Sequence, residues 1–464
     1  MGLGMTASIH AAVGDTFTYD GLDYNILSED DLTCEVGINK DKFQGDLIIP
    51  SKVRFNDKEY TVTAIGEQAF YLDMSLTSIT IPETVTTIGK EALSRVYHIK
   101  ELVIPNSVTE IGERVAYACA NLEYITLSSS CKYIPHEAFS GQAYLKELEI
   151  PDGVEIIGDE SFNYCSKATK LTIGSTVKSI GVMAFAGWNS ITELSIPANV
   201  EEMDREAFSY CYKLATVTLE ESATPIKFGI NVFGQGLYAG TSDDPVAKIT
   251  TLNLYRPWSC PSTEINEMPF AKKLWLKTIN IGPYVTNLPA NTFFNATYTI
   301  KEVNVESENC PTAQANTFPS YTYRQATLSV PEDALEAYKS HTVWGEFWDI
   351  QGVKKPDTGD ENGDGNGDGN GDGNGDGNGD GNGDGNGDGN GDGDGNGDGN
   401  GDGNGDGNGD GNGDDQSGIK VISLDDPDVV ACYDLNGRKV TGTPTTGMYI
   451  VRLTDGTIHK VYVK

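Results

Sequence analysis

One feature of this sequence limits its fold more than any other, and that is a pattern that recurs every 23 residues. The pattern reads L-x-x-I-x-I-P-x-x-V-x-x-I-G-x-x-A-F-x-x-C, and seven units follow it between Leu47 and Leu219. Two apolar columns precede the proline, and they hold Ile79, Leu102, Ile125, Leu148, Leu171, Leu194 and Val217, then Ile81, Ile104, Leu127, Ile150, Ile173, Ile196 and Leu219. Such a period predicts a solenoid in which each unit supplies one short strand and a return path.

Three further columns shape the turns of each unit. A proline closes the strand at Pro82, Pro105, Pro151 and Pro197, with Ser128 and Gly174 in the remaining units. An Ile-Gly pair follows at Ile65-Gly66, Ile88-Gly89, Ile111-Gly112, Ile157-Gly158 and Ile180-Gly181, with Ile134-Pro135 and Met203-Asp204 as variants. The last column holds Phe70, Leu93, Ala116, Phe139, Phe162, Phe185 and Phe208. We expect the glycines to adopt positive φ or to allow a close backbone approach, and the coil at Pro135 to turn differently.

A single unit of this repeat cannot be stable alone. Its five or six inward side chains contribute about 1.5 to 3 kcal/mol each, whereas ordering its backbone costs about 1 to 2 kcal/mol per residue. Neighbouring units must therefore complete the core, and strands stacked in register form a parallel sheet. The fold class predicted is an α/β-type repeat solenoid with a parallel β-sheet, capped at both ends, plus a small C-terminal all-β domain.

The repeat resembles the BspA-like (Treponema-type) leucine-rich repeats of bacterial surface proteins. The resemblance is specific from about Leu47 to Leu219. It implies an extracellular or outer-surface location in a bacterium, and a non-enzymatic protein that mediates adhesion or binds a host matrix protein, cell-surface protein or glycan. A structural spacer without a specific ligand is the alternative.

Both ends of the solenoid carry segments that predict caps. The stretches from Phe17 and from Val53 predict hairpins, the second turning at Asn56-Asp57. Beyond Leu219 the spacing is uneven, and strands are predicted at Leu252–Leu254, Leu276–Ile281, Ile300–Val305 and Ala326–Val330. The stretch ending at Ile350 resembles the capping unit of such proteins, with Trp344, Phe347 and Trp348 as its lid.

These features predict six regions along the chain. They are an export-signal remnant or frayed terminus at 1–16, a hairpin cap at 17–64, regular repeats at 65–222, irregular repeats with a cap at 223–353, an acidic linker at 354–417 and a small β domain at 418–464.

The cysteines and histidines offer no reactive centre. Cys119, Cys165 and Cys211 share a column but lie two coils apart, about 10 Å at 4.8 Å per strand, which is beyond disulfide reach. We expect them, and Cys131, to be buried thiols. The sequence cannot pair Cys34, Cys260, Cys310 and Cys432. The five histidines, His10, His98, His136, His341 and His459, have no partner at ligand spacing, so no catalytic residue, metal site or cofactor is predicted.

Much of the strong negative charge lies in one low-complexity segment. Of a formal net charge of -35, Glu361 and 16 aspartates between Asp360 and Asp415 supply 17 charges. Its D-G-N-G-D-G units match the first half of a calcium loop but lack the bidentate acid at position 12, so only weak Ca²⁺ association is expected. We expect an acidic spacer of about 40 Å or more.

The sequence predicts neither nucleic-acid binding nor a membrane-spanning segment. We expect a monomer.

The last 45 or so residues resemble the C-terminal sorting domain of type IX secretion. Tyr433-Asp434-Leu435, Gly437-Arg438 and Gly447-Met448-Tyr449 carry the likeness, and Asp455-Gly456 predicts a hairpin turn. The Pro-Asn-Pro-type opening of that family is absent. A small accessory β module is the alternative, and whether the domain anchors the protein or is cleaved stays open.

The candidate contact residues come from two places. Irregular loops between Glu220 and Phe270 offer a group of large side chains, and the regular strand face offers one exposed aromatic. The residues predicted to bind a ligand are Phe233, Tyr238, Tyr255, Arg256, Trp258 and Tyr124.

Overall fold

The computed structural model of the chain divides into two compact units, Met1–Lys355 and Pro356–Lys464. In the first unit the structure describes residues 13–39, 43–234, 247–262, 267–294, 296 and 299–354. In the second it describes the backbone of residues 429–433, 447–453 and 458–463. The first unit is a parallel β solenoid, as the repeat predicts.

Six strands form the N-terminal cap: β1 (Thr16–Tyr19), β2 (Leu22–Ser28), β3 (Thr33–Val36), β4 (Gly45–Ile48), β5 (Lys52–Phe55) and β6 (Lys58–Ile65). Strands β1 and β2 pair in antiparallel fashion, as do β5 and β6. Asn56 and Asp57 have φ of 48° and 61°, as the turn of a two-residue hairpin requires. Both predicted hairpins are confirmed. Strands β4 and β6 each pair in parallel with a strand of the first regular coil.

Each coil then contributes one strand to each of two rows. The strands in chain order are β7 (Leu76–Thr80), β8 (Thr87–Ile88), β9 (Glu101–Val103), β10 (Glu110–Ile111), β11 (Tyr124–Thr126), β12 (Tyr133–Ile134), β13 (Glu147–Ile150), β14 (Ile156–Ile157), β15 (Lys170–Ile173), β16 (Ser179–Ile180), β17 (Glu193–Ile196), β18 (Glu202–Met203), β19 (Thr216–Leu219) and β20 (Ile226–Phe228). Odd-numbered strands form the first row and even-numbered strands the second. The second row was not predicted, because two-residue bridges leave no alternating pattern in the sequence.

The irregular part continues both rows. Its elements are β21 (Thr251–Leu254), β22 (Trp258–Ser259), β23 (Thr278–Ile281), β24 (Asn287–Leu288), β25 (Glu302–Val305), β26 (Thr312–Ala313), α1 (Ser320–Gln325), β27 (Thr327–Pro331), α2 (Leu335–Ser340) and β28 (Asp349–Val353), with 3₁₀ turns at Glu332–Ala334 and Trp344–Glu346. The four strands predicted beyond Leu219 are confirmed as β21, β23, β25 and β27. The two helices of the described part have six residues each, and none there could cross a bilayer.

The rows are interrupted at different coils. Hydrogen-bonded pairing in the first row is missing between β7 and β9, between β11 and β13 and between β15 and β17, and from β17 to β28 it is continuous. In the second row it is missing between β10 and β12 and between β22 and β24. At every one of these junctions among the described coils, the other row remains paired.

The glycines of the Ile-Gly column are needed for close approach and not for positive φ. A Cβ on Gly112 would lie 2.3 Å from the backbone nitrogen of Lys90, and one on Gly89 would lie 2.6 Å from that of Glu67. The left-handed residues come two and six positions later, and they include Glu91, Arg114, Glu137, Glu160, Met183 and Glu206, then Arg95, Ala118, Gly141, Tyr164, Gly187 and Tyr210. Pro135 and Asp204 carry a Cβ at this position, so the backbones of neighbouring coils do not approach equally closely in every coil.

Pro135 does not change the path of its coil, so that expectation is wrong. Glu137 and Gly141 keep the left-handed φ of their columns, 50° and 81°. What Pro135 removes is a hydrogen bond: the N–H of Gly112 donates to Ile88 and that of Gly158 to Ile134, each at 2.8 Å, whereas proline has no N–H to donate. The second row is interrupted at this position.

Phenylalanines stack along the interior from coil to coil. Ring centroids of Phe139, Phe162, Phe185 and Phe208 lie 5.4, 5.5 and 5.1 Å apart, with planes within 15° of parallel. All are fully buried, so one apolar column runs through neighbouring coils.

In six coils, the buried side chain three residues after the member of that column donates a hydrogen bond to a carbonyl of the preceding coil. Trp188 donates its Nε1–H to Phe162 O at 2.7 Å, and Lys273 donates from Nζ to Phe233 O at 2.8 Å. The thiols of Cys119, Cys165 and Cys211 donate to Leu93, Phe139 and Phe185, and Gln142 donates to Ala116. Burial of these three cysteines is confirmed; it raises the pKa of each thiol to about 12. Cys131 is buried as well.

The C-terminal cap closes the last coil with aromatic side chains. Trp344 and Phe347 are buried, and Trp344 donates its Nε1–H to Pro311 O at 2.8 Å. Trp348 is 76% exposed, so its predicted place in the lid is wrong. The lid is completed by Phe318 and Tyr323, whose ring centroids lie 5.6 and 5.0 Å from that of Phe347.

In the second unit, β29 (Val429–Tyr433), β30 (Gly447–Leu453) and β31 (Ile458–Val463) form an antiparallel sheet in the order β29-β30-β31. The predicted turn at Asp455-Gly456 and the acidic segment lie outside the described residues.

Candidate functional site

The first row presents a regular set of side chains to solvent. Along β13 and β17, Leu148, Ile150, Leu194 and Ile196 are buried while the residues between them are exposed, because successive side chains of a strand point to opposite faces. The outward residues form two columns: Ser78, Glu101, Tyr124, Glu147, Lys170, Glu193 and Thr216, then Thr80, Val103, Thr126, Glu149, Thr172, Ser195 and Thr218. We call this surface the strand face.

A groove of about 440 Å³ lies on the strand face over β9 to β15. Its outward lining is formed by Glu101, Tyr124, Glu147, Glu149 and Lys170, together with Thr126 and Thr172. Its floor contains Ile125, Leu127, Leu148 and Pro151. The groove therefore combines an apolar base with charged walls.

The local sequence explains why the groove lies here. In this coil Leu127-Ser128 stands where most other units have Ile-Pro, and Ser128 turns its hydroxyl inward to donate to Val108 O at 2.6 Å. Strand β11 is only three residues long and pairs with β9 but not with β13. Beside the unpaired junction, the edges of Ile125 and Leu127 line the groove.

Tyr124 is held in place by a lysine of the next coil. Its ring lies 4.8 Å below Lys146 Nζ, and that ammonium also donates to the Tyr124 hydroxyl at 3.0 Å. Glu123 fixes the lysine through an ion pair of 2.5 Å. The hydrogen bonds that Lys146 donates to Glu123 and Tyr124 raise the pKa of Lys146, so it remains charged beside the phenol ring.

Nine charged residues elsewhere on the regular coils are paired in three ladders of alternating sign. Lys132 and Lys178 flank Glu155 at 3.1 and 2.8 Å, each one coil away. Lys100 and Lys146 flank Glu123 in the same way, and Arg114 lies between Glu91 and Glu137. Members of a ladder are 23 residues apart, so the repeat itself creates these pairs.

The charged groups of the groove are not paired in this way. Within the described part of the chain, Glu101, Glu147, Glu149 and Lys170 form no side-chain hydrogen bond and no ion pair below 4 Å. The groove thus holds charges that are uncommitted inside the protein, next to an oriented aromatic ring. A partner could satisfy them without first breaking internal pairs.

The strand face over the irregular coils is different, because its polar groups bind one another. Asn253 donates to Thr218 at 2.9 Å, Asn280 to Asn253 at 2.7 Å and Asn304 to Asn280 at 2.8 Å. This asparagine ladder occupies the second outward column from β19 to β25. Its amides satisfy each other and offer less to a partner than the groove does.

Three of the predicted contact residues are buried, and the expectation that they are displayed is wrong. Phe233 is fully buried and continues the phenylalanine column, 6.2 Å from Phe208 and 5.9 Å from Phe270. A step of 25 residues in place of 23 hides this membership in the sequence. Trp258 begins β22 beside Ile226 and packs edge-on against Phe270 at 5.2 Å.

Arg256 is also buried, and it joins two turns from within. Its Nε and Nη2 donate to Thr224 O at 3.0 and 2.7 Å, and its Nη1 donates to Pro197 O at 3.2 Å. Burial lowers the pKa of this guanidinium. Its role is structural, since all these hydrogen bonds go to backbone carbonyls.

The remaining candidates differ in position. Tyr255 is half-buried against Gly282, Tyr238 lies outside the described residues, and Tyr124 is 43% exposed in the groove. Only Tyr124 joins the strand-face groove. A sequence signal for the other groove residues existed: Lys170 interrupts a column that is otherwise acidic at Glu101, Glu147 and Glu193.

The described residues contain no group of three or more His, Cys, Asp or Glu side chains placed to hold a metal ion.

The stacked parallel coils and inward columns define the class of protein, a leucine-rich-repeat solenoid. The sequence profile of the BspA type leucine rich repeat region matches residues 38–152, 63–186, 132–235 and 250–340, which together span more than half of the chain. The chain belongs to this family.

Solved structures of bacterial leucine-rich proteins are similar to the chain. A leucine rich cell surface protein of Faecalibacterium prausnitzii is 20% identical, with 74% of this chain and 95% of that one covered and a TM-score of 0.41. A leucine-rich repeat protein of Bacteroides ovatus is 19% identical, with 73% and 100% covered and a TM-score of 0.35. The T. pallidum leucine rich repeat protein is 20% identical, with 48% and 89% covered and a TM-score of 0.34. Among curated proteins none matches the chain.

Proposed function

We propose that this chain is a non-enzymatic binding protein of the bacterial cell surface or its surroundings, and that it holds a partner macromolecule in the strand-face groove. Membership in the BspA type repeat family supports a surface location and a role in protein binding or adhesion. The observation that carries the proposal is the contrast between the uncommitted charges of the groove and the paired ladders elsewhere on the regular coils.

The test compares two exposed tyrosines on different rows. Tyr124 lies in the groove on β11, and Tyr133 lies on β12 of the second row with 49% exposure against 43%. Full-length protein would be presented to immobilised extracellular-matrix proteins and to host epithelial cells, with bound protein measured by surface plasmon resonance and by cell counting. We expect Tyr124→Ala to reduce binding about tenfold or more, as loss of an aromatic anchor does, and Tyr133→Ala to leave it unchanged.

Equal binding by wild type and both variants would point to the second candidate, a surface spacer without a specific ligand. Loss of binding in Tyr133→Ala alone would place the contact on the second row and contradict the groove.

We also propose that the β29–β31 unit serves in export by a type IX route. The antiparallel strands lie where the sequence resembles such a sorting domain, which supports the proposal. Deleting residues 418–464 should retain the protein inside cells of a host that has this secretion system. The amount of the protein in the culture medium, measured by immunoblotting, should then fall to background. Undiminished export of the shortened chain would refute it.

A further inference from the structure

The charges that line the strand-face groove do not balance. The lining contains three carboxylates, those of Glu101, Glu147 and Glu149, and one ammonium, that of Lys170. Three negative charges and one positive charge leave a net charge of -2 at neutral pH. All four side chains are exposed, and among the described residues none of them finds an ion-pair partner. The protein therefore leaves this negative charge for water or for a partner to satisfy.

The net charge limits which partners can cover the groove. A macromolecule seated here removes water from the carboxylates, and burying a charge is costly unless a partner group pairs with it. An apolar partner surface leaves that cost uncompensated, and an anionic one adds repulsion. Neutral donors such as hydroxyls satisfy single oxygens but leave the net charge in place. Cationic donors make hydrogen bonds about twice as strong as neutral ones and also balance the charge.

The floor of the groove favours a cationic side chain with a long apolar stem. Ile125, Leu127 and Leu148 line the floor although each is more than nine-tenths buried, so they offer only their edges. Such a floor is too shallow to enclose a bulky apolar side chain. Lysine and arginine lay their methylene stems along apolar surface and keep the charged group outside it. A side chain of this kind matches both the floor and the acidic walls.

Tyr124 distinguishes arginine from lysine. Its ring is 43% exposed and has Lys146 on one side. The chain itself shows that one tyrosine ring can receive two cations, since Arg95 and Arg114 lie 5.8 and 5.7 Å from the ring centroid of Tyr117. A planar guanidinium stacks on aromatic rings and pairs with carboxylates through two hydrogen bonds, whereas an ammonium is a strongly hydrated point charge. The groove therefore suits arginine better.

We propose that the groove binds a basic segment of a partner protein through its arginine side chains. The proposal rests on the proposed function, because the groove must be the binding surface. The guanidiniums pair with Glu101, Glu147 and Glu149, and one of them stacks on Tyr124. A groove of about 440 Å³ lies near the small end of ligand sites, about 300 to 1000 Å³. It takes a few side chains of a segment and not a folded domain.

Three fluorescent peptides of one serine- and glycine-rich sequence test this chemistry. They carry arginine, citrulline or lysine at the same three positions, and citrulline keeps the shape and the N–H donors of arginine without its charge. Fluorescence anisotropy with full-length protein at physiological salt measures Kd. We expect the arginine peptide to bind about tenfold tighter than the citrulline peptide, as two or three surface ion pairs imply. It should bind about twofold tighter than the lysine peptide, as one exposed cation–π contact implies.

Charge variants of the protein locate the binding. The double variant Glu147→Gln with Glu149→Gln should weaken binding of the arginine peptide about fivefold, and adding Glu101→Gln should bring the loss to about tenfold or more. The matched control is Glu110→Gln with Glu202→Gln, which removes two exposed carboxylates from β10 and β18 of the second row. We expect the control to bind like wild type. The acidic segment also attracts arginine, but it is the same in every variant.

A variant of the ring tests the choice of arginine. Tyr124→Leu keeps an apolar side chain and removes the π system, so the arginine and lysine peptides should bind it equally. Its preference for arginine over citrulline should persist, because the carboxylates are unchanged. A preference for arginine over lysine that survives in Tyr124→Leu would contradict the stacking on Tyr124.

The outcomes separate this inference from the proposed function. Equal affinity for the arginine and citrulline peptides overturns it, and so does an equal loss in the groove double variant and its second-row control. If the Tyr124→Ala protein has lost adhesion while no peptide binds, the groove stands as a binding surface and the basic ligand is wrong. If neither adhesion nor peptide binding depends on the groove, both proposals are overturned.

Discussion

At the scale of single residues, the glycine column shows how a repeat of 23 residues is enforced by space. Gly112 has an ordinary negative φ, yet a Cβ there would meet the Lys90 backbone at 2.3 and 2.6 Å. Gly141 has φ of 81°, but a Cβ there would be 3.4 Å from its nearest neighbour. The two glycines are therefore needed for different physical reasons, and substitution can tell them apart.

Gly112→Ala should destabilise the protein by about 3 kcal/mol, because the coils cannot separate locally without strain. Gly141→Ala should cost about 1 kcal/mol, the strain of a left-handed alanine. Urea denaturation followed by circular dichroism measures both free energies of unfolding. A larger loss in Gly141→Ala would contradict the role of backbone crowding.

Lys273 is a buried lysine, and burial disfavours the charged form of its ammonium group. It is 3% exposed, the one side-chain hydrogen bond it makes in the described structure goes to Phe233 O, and burial lowers its pKa to about 8 from 10.5. A lowered lysine pKa means that stability is fully present above pH 10.5 and is lost as the pH falls through 8. The wild-type protein should therefore carry a penalty on the order of 3 kcal/mol at pH 7.

Lys273→Gln removes the charge and keeps a donor, as Gln142 does in the same column. We expect a higher free energy of unfolding at pH 7, by up to about 3 kcal/mol, and a difference from wild type that vanishes by pH 10.5. The buried thiols act with the opposite sign, since a pKa raised to about 12 lowers stability as the pH rises above 9. They are common to both proteins, so the difference isolates Lys273, and parallel pH curves would refute its buried charge.

At the scale of elements, the asparagine ladder adds side-chain hydrogen bonds to the backbone pairing of β19 to β25. Asn280 is in its interior and takes part in two hydrogen bonds, whereas Asn304 at its end makes one, to Asn280. Each such bond contributes about 1 kcal/mol. The ladder should thus stabilise the irregular coils in proportion to its bonds.

Asn280→Ala should cost about 2 kcal/mol and Asn304→Ala about 1 kcal/mol, measured by thermal or urea unfolding. Equal losses at the two positions would indicate that the amides act independently of the ladder.

The elements that could be predicted from the sequence are those whose side chains repeat at a constant step. Ile79 to Val217 identified the first row, and the Asn56-Asp57 hairpin followed from turn chemistry. The second row could not be predicted, since pairs such as Tyr133-Ile134 are too short to show alternation. Phe233 and Trp258 were mistaken for loop aromatics because insertions change the step to their coils. Within the groove, Tyr124 was identified from the sequence, and Lys170 stood out in its column, but only the structure shows that Glu147 and Lys170 have no internal ion pair among the described residues.

At the scale of the whole solenoid, stability depends on closing the ends of an apolar column. Phe318, Trp344 and Phe347 pack together over the last coil, with Phe293 beneath Phe318 at 5.1 Å. Without them the last phenylalanines would face water, and a solenoid without a terminal cap is insoluble.

Chains ending after Lys354 and after Phe318 test the cap. The first keeps every described element of the repeat unit and should remain soluble with cooperative unfolding. The second lacks α1 to β28 and should aggregate on expression, which size-exclusion chromatography would show. A soluble, folded chain ending at Phe318 would mean that the aromatic cap is dispensable.

The staggered interruptions of the two strand rows decide how the solenoid responds to tension. When its two ends are drawn apart, as fluid shear does to a tethered molecule, separation begins wherever the fewest bonds cross a boundary. Because each gap in one row lies beside an intact ladder in the other, no junction between the described coils lacks both rows, and separation is expected to begin at the junctions where one row is interrupted.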